Sequence, residues 1–260
     1  MAETLTPPPS VEPSSPPAPV EPSGGGGGFF QNLGDVYFAP RAAFARIVSR
    51  PAFLLPFLGH MVLALAFTGV WLNKVDAREF MKTQLEESGR MEKIPADQRD
   101  SILESASGQM KLFTWPSVVV GPGLMLLVVG GGLMFVYRFF YASEVTFKQS
   151  LAIAAWSMFA LALVTTPLML LVFQIKGDWN LNPQEVLQAN LGLLVDKAAT
   201  AKPLWALLTS LDLFSFWMMF LLATGFAVAS RKTTSSAIWG VAIPWGVIVL
   251  LKIGWAAMMG

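Results

Sequence analysis

The sequence predicts an all-α membrane protein, a bundle of about five transmembrane helices preceded by a disordered tail rich in proline and glycine. Hydrophobic residues make up 54% of the 260 residues and charged residues only 13%, whereas soluble domains contain about 25% charged residues. The chain also contains five apolar runs, and roughly 20 apolar residues suffice to cross a hydrocarbon core of about 30 Å.

Composition excludes several classes of function. The net charge of +1 gives no basis for binding nucleic acid. Without cysteine, disulfides, thiol catalysis and cysteine-ligated metals are excluded. His60 is the only histidine and is interpreted as a helix-packing residue, since one histidine cannot build a metal site. The sequence therefore predicts a non-enzymatic protein with no catalytic residue, no cofactor and no metal site.

Residues 1–28 are of low complexity, with prolines alternating with Ser, Glu and Val before five glycines at 24–28. Such a segment cannot bury enough surface to offset its chain entropy, so it is predicted to be disordered. A solvated spacer is the favoured interpretation, and a proline-rich ligand for an SH3-like domain is the alternative.

Residues 29–50 differ from the tail, because apolar residues recur at helical spacing. A break is predicted at Pro40, which would start a second helix. Three arginines are interleaved with this apolar stripe just before the first span: Arg41, Arg46 and Arg50. The pattern favours an amphipathic segment on the membrane surface, with the arginines at the interface. A helix packed under the bundle as ordinary core is the alternative.

Residues 51–260 are predicted to form the transmembrane domain. The predicted spans are about 52–72, 115–137, 150–173, 204–229 and 237–259. The charged loop 73–114 is predicted to hold two amphipathic helices that cap the bundle, and 185–197 a third. Glycines 130–132 within the second span predict either a close approach between helices or a local weakness of the helix.

The last two spans each carry one ionisable residue within the apolar run. Asp212 lies about 12 Å from the start of the fourth span, and Lys252 about 10 Å from the end of the fifth. The two spans are antiparallel, so the opposite charges lie at a similar depth. An intramembrane charge costs at least ~2.5 kcal/mol, and pairing would offset this cost.

Two arrangements of these charges are possible. In the first, Asp212 and Lys252 face each other as an intramembrane ion pair, of structural or functional importance. In the second, Lys252 extends to the nearby surface while Asp212 accepts a hydrogen bond from water or from a hydroxyl such as that of Ser215. The short turn between the two spans favours the pair.

The orientation follows from the basic residues of the short loops. Arginine and lysine are dense before the first span, between the second and third, and in the turn Arg231-Lys232. These loops all lie on one side of a five-span bundle. The N-terminus is therefore predicted to be cytoplasmic.

Four stretches together resemble bacterial members of the Yip-one (Ypt-interacting protein) family, over about residues 29–259. They are Val36-Tyr37-Phe38-Ala39-Pro40-Arg41-Ala42-Ala43-Phe44, Thr146-Phe147-Lys148-Gln149-Ser150-Leu151, Leu211-Asp212-Leu213-Phe214-Ser215-Phe216-Trp217 and Leu250-Leu251-Lys252-Ile253-Gly254. The resemblance implies five membrane helices with a cytoplasmic N-terminus, in a bacterial inner membrane.

Eukaryotic members of that family bind Rab-type GTPases and carry an Asp-Leu-Tyr-Gly-Pro motif in the N-terminal tail. The nearest match here is Asp35-Val36-Tyr37-Phe38-Ala39-Pro40, which has an inserted residue and no glycine. A small GTPase partner is therefore implied by family analogy only. The expected partners are the lipid bilayer and an unidentified protein.

Two functions remain open. A non-enzymatic scaffold or adaptor, which organises the membrane or recruits protein partners, needs only the spans, small loops and basic segment. A small transporter or permease component would use Asp212 and Lys252 as a gated pair. The chain shows no obvious internal repeat of the kind common in transporters, so the scaffold is favoured.

Overall fold

A computed structural model describes residues 28–187, 189–197 and 199–258. Within these ranges the protein is helical, and the only extended pairing is one isolated bridge between Asn190 and Asp212. The predicted all-α class is confirmed. The tail predicted to be disordered, 1–28, lies outside the described residues except for Gly28.

The helices follow the chain in order. They are α1 (Phe29–Phe38), α2 (Pro40–Ser49), α3 (Leu54–Leu72), α4 (Ala77–Glu87), α5 (Arg99–Phe140), α6 (Phe147–Lys176), α7 (Pro183–Val186), α8 (Lys202–Ser210), α9 (Leu213–Ala229) and α10 (Thr234–Met258). Short 3-10 turns lie at Met91–Lys93, Ala96–Gln98 and Leu191–Leu194.

In the described part of the chain, four helices are long and apolar enough to cross a membrane: α3, α5 with the turn before it, α6 and α10. They match the first, second, third and fifth predicted spans. The fourth prediction, 204–229, is wrong as one continuous helix, because the helix breaks at Leu211 and Asp212. Its apolar part is α9, whose 17 residues lie at the lower end of the usual spanning range.

The loop before the second span also differs from its prediction. Helix α4 is the first of the two expected amphipathic helices, but the second continues into the span as the 42-residue α5. This helix is about 63 Å long at roughly 1.5 Å per residue, twice the hydrocarbon thickness. Residues 99–114 contain no proline and one glycine, so nothing in the backbone ends the helix before the apolar run.

The helix predicted over 185–197 is wrong in the residues that the structure describes. They hold the four-residue α7 and the 3-10 turn Leu191–Leu194. The side chain of Asn190 accepts a hydrogen bond from the Gly192 backbone N–H at 2.9 Å, and such a local bond competes with a regular helix.

Helix α6 lies at the centre of the bundle. It contacts α1, α2, α3, α5 and α9, and residues 150–157 along it are all buried. Small residues allow this crowding: a Cβ on Gly130 of α5 would lie 2.9 Å from Leu151, and one on Gly225 of α9 would lie 2.4 Å from Ile153. The close approach predicted for 130–132 is therefore found at Gly130.

The segment 29–50 forms the two short helices α1 and α2, and the predicted break at Pro40 is confirmed. Its apolar stripe packs against the bundle. Four residues of the stripe are at most 2% exposed and belong to the main core: Val36, Ala43, Phe44 and Ile47. The stripe therefore faces protein, as in the alternative interpretation. A location of the three arginines at the membrane surface stays a prediction.

The orientation of the bundle can be tested by cysteine labelling, because the natural chain has no cysteine. Single cysteines at the exposed positions Ala45 and Ser235 are expected to react only with maleimides that cross the membrane. A cysteine at the exposed Ser88, after α4, is expected to react with an impermeant maleimide. The reverse pattern in intact cells would overturn the cytoplasmic placement of the N-terminus.

Candidate functional site

The break between α8 and α9 is made by Asp212. Its backbone is extended (φ −116°, ψ 137°), and its carboxylate accepts hydrogen bonds from the Ser215 backbone N–H at 2.9 Å and from the Ser215 hydroxyl at 3.3 Å. Aspartate is among the best residues for this N-cap position, because its oxygen satisfies amides that have no partner within the helix. The carboxylate thus begins α9.

The backbone exposed by the break is paired with the preceding connection. The Leu191 N–H donates to the Leu211 carbonyl at 3.3 Å, and the Leu213 N–H donates to the Ala189 carbonyl at 3.0 Å. Irregular backbone at membrane depth requires such partners within the protein. The connection before α8 therefore supports the break directly.

Lys252 reaches the same junction from α10. Its Nζ lies 3.3 Å from the hydroxyl oxygens of both Thr209 and Ser210, in the last turn of α8. Each hydroxyl in turn donates to a carbonyl of its own helix, Thr209 to Trp205 at 2.8 Å and Ser210 to Ala206 at 2.7 Å. The ammonium is thus held at the C-terminal end of α8, where a cation complements the helix dipole.

The structure places Asp212 and Lys252 at one junction, and each has separate partners there. The ion pairs of the described residues do not include this pair. The hydrogen bonds from Ser215 correspond to the second of the two arrangements that the sequence left open. In this arrangement one charge begins α9 and the other closes α8, so both stabilise the break.

The three arginines have different partners. Arg46 forms an ion pair with Asp35 and donates to the Asn32 side-chain oxygen at 2.9 Å, which ties α2 to α1. Arg41 lies 3.5 Å from the Thr234 hydroxyl at the start of α10. The side chain of Arg50 has no hydrogen bond or ion pair within the described residues. Sequence reasoning missed the Asp35–Arg46 pair, although Asp35 is the one acid in the segment.

In the stretch that resembles the eukaryotic motif, most side chains are buried or make contacts within the protein. Asp35 pairs with Arg46, Val36 is fully buried, and the Tyr37 hydroxyl donates to the Ala160 carbonyl of α6 at 2.6 Å. Phe38 is 90% exposed. Burial raises the pKa of Tyr37, so its hydroxyl stays protonated and donates throughout the physiological range.

At the end of the bundle opposite α1 and α2, one lysine, Lys197, joins the connections near α4 and α7. The ammonium of Lys197 lies 3.1 Å from Glu87, at the end of α4, and 3.4 Å from Glu185 of α7. Partial burial alone would lower the pKa of Lys197, but hydrogen bonds and the charges of both carboxylates raise it overall. The adjoining cavity of about 480 Å³ has a mixed polar lining, and no group of three metal-ligating side chains occurs in the described ranges.

Comparison with known proteins identifies the family. A family model described as the Yip1 domain matches residues 34–256, which is most of the chain and includes the second half of α1, all of α2 and the α8–α9 junction. No curated protein matches the chain, and no solved structure matches it. The chain is therefore a multi-pass integral membrane protein of the Yip1 family.

Proposed function

We propose that this protein is a non-enzymatic scaffold or adaptor of the bacterial inner membrane, with its N-terminus in the cytoplasm. The observation that carries the proposal is the direct contact between helices in the core. A Cβ on Gly240 of α10 would lie 2.8 Å from the Tyr137 ring of α5, in addition to the tight contacts at Gly130 and Gly225. Helices this close leave no room for a solute between them at these positions.

The two intramembrane charges support the same proposal. A transporter places its substrate and ions at discontinuous helices near the bilayer midplane, and the α8–α9 break is a discontinuity of this kind. Here the Asp212 carboxylate accepts hydrogen bonds from the amide and hydroxyl of Ser215. The Lys252 ammonium donates hydrogen bonds to two hydroxyls of α8. Both groups thus hold the helix ends, and the transporter is the competing outcome of the test.

A scaffold needs a surface that a partner can reach. Phe38, at the end of α1, leaves its aromatic ring almost fully exposed, whereas the two residues before it, Val36 and Tyr37, face the bundle. We expect an unidentified protein partner rather than a small GTPase, because the residues of the motif-like stretch before Phe38 are engaged within the molecule.

The test combines transport and crosslinking. Reconstituted into liposomes, the protein is expected to move no solute from a panel of ions, sugars and amino acids. A photo-crosslinking residue at Phe38 is expected to trap one discrete protein in cells, and the same residue at Phe135, an exposed position on α5, is expected to trap only lipid. Solute flux that is lost in a stably folded Asp212→Ala variant would contradict the scaffold.

A further inference from the structure

A cavity of about 230 Å³ lies where α2 ends and α3 begins. Its walls combine two arginines, Arg46 and Arg50, with the apolar surfaces of Phe29, Leu55 and Trp156. A site that is cationic on one side and apolar on the other suits an amphiphilic anion. The cavity is separate from the α8–α9 junction.

The charge of the cavity comes from Arg50. Arg46 is neutralised by Asp35, whereas the Arg50 side chain is exposed and has no partner within the described ranges. Its guanidinium can therefore offer up to five N–H donors to a ligand. A phosphate group fits this fork in a bidentate geometry.

The cavity lies at the start of α3, the first helix in the described part of the chain that is long and apolar enough to cross a membrane. The Trp156 indole N–H donates to the Ala52 carbonyl at 3.2 Å, which places this tryptophan level with the residues just before α3. Phe29 packs on the same indole, with ring centroids 5.1 Å apart. Both rings are therefore part of the apolar wall of the cavity.

An apolar track leads from the cavity along α3. Leu55, Leu58 and Val62 follow at helical spacing on one face and are 54%, 47% and 64% exposed. Leu55 belongs to the cavity wall, so the track begins where the arginine side ends. An acyl chain can occupy this track, whereas a free phosphate would leave it empty.

We propose that the α2–α3 junction binds one anionic phospholipid, with its phosphate on Arg50 and an acyl chain along Leu55, Leu58 and Val62. Arg46 and Asn32, held together by their own hydrogen bond, form the rigid wall beside the headgroup. The site would select anionic over zwitterionic lipid, because only an anionic headgroup leaves a net negative charge for Arg50.

Native mass spectrometry of the full chain in detergent can test this. Phosphatidylglycerol is expected to bind about tenfold more tightly than phosphatidylcholine of the same chain length, as for one charge-assisted contact. Arg50→Gln is expected to remove this preference, and Arg50→Lys, which keeps the charge, is expected to retain most of it. Arg41→Gln is the matched control, since Arg41 is an exposed arginine at the other end of α2 and does not line the cavity.

A competition experiment decides whether the phosphate on Arg50 belongs to a lipid or to a soluble ligand. Inorganic phosphate and glycerophosphoglycerol, which lack acyl chains, are expected not to displace the bound lipid at equal concentration. Displacement by either would overturn the lipid assignment in favour of a soluble phosphate ligand. Equal losses in Arg50→Gln and Arg41→Gln, or an unchanged preference in Arg50→Gln, would overturn the site itself.

Discussion

Truncation of Phe44 to alanine is expected to lower the free energy of unfolding by about 3–5 kcal/mol, the usual cost of removing a buried phenyl ring. Phe44 is fully buried in the main core. Its ring lies 3.1 Å from the position that a Cβ on Gly225 would occupy, so α2 packs directly against α9. Reversible unfolding in mixed micelles, followed by tryptophan fluorescence, measures the loss.

Phe38→Ala provides the matched control, because Phe38 lies in the same segment but is 90% exposed. Its expected effect on stability is within about 0.5 kcal/mol, as for most surface substitutions. Comparable small losses in both variants would mean that α1 and α2 lie on the membrane surface instead of packing into the bundle.

Gly225→Ala is expected to cost about 1–3 kcal/mol by overpacking. The new methyl group would lie 2.4 Å from Ile153 Cγ2, and Ile153 is itself fully buried on the central helix α6. The branched isoleucine side chain has few alternative rotamers in a helix, so the helices must separate. The same unfolding measurement detects the loss.

Gly246→Ala on α10 is the control, because a Cβ there would meet nothing within 4 Å. It is expected to be neutral or to stabilise by up to about 1 kcal/mol, the helix propensity difference. Combining Gly225→Ala with Ile153→Ala should cost less than the two single losses added together, since the truncation removes the clashing group. Strict additivity, or a Gly225 variant as stable as the control, would refute the close approach.

Much of the fold follows from the sequence because single residues decide it locally. Pro40 has no backbone N–H and fits the first turn of a helix, so the α1–α2 break was predictable. The long apolar runs predicted five spans, and in the described part of the chain four of them are helices of membrane length. The glycine at 130 marked a helix contact because only glycine leaves space for Leu151.

Other features depend on tertiary contacts that a pattern cannot show. The amphipathic stripe of 29–50 suits a lipid surface and a protein surface equally, and only the packing on α6 and α9 decides between them. A hydropathy window averages over residues on both sides of the α8–α9 break, so the sequence of 204–229 looks like one continuous span. The local signal was present nevertheless: Asp212 stands three residues before Ser215, the spacing of a side chain that caps the backbone N–H at N3.

The central claim is that Asp212 holds a helix end within a packed bundle of membrane helices, and the stability of Asp212→Asn tests it most directly. Asparagine caps a helix as well as aspartate does, so the free energy of unfolding is expected to change by less than about 0.5 kcal/mol, whereas Asp212→Ala should lose about 0.5–2 kcal/mol. An Asp212→Asn loss of about 3–5 kcal/mol, the cost of leaving a partner charge buried and unpaired, would contradict the claim and favour a direct Asp212–Lys252 ion pair.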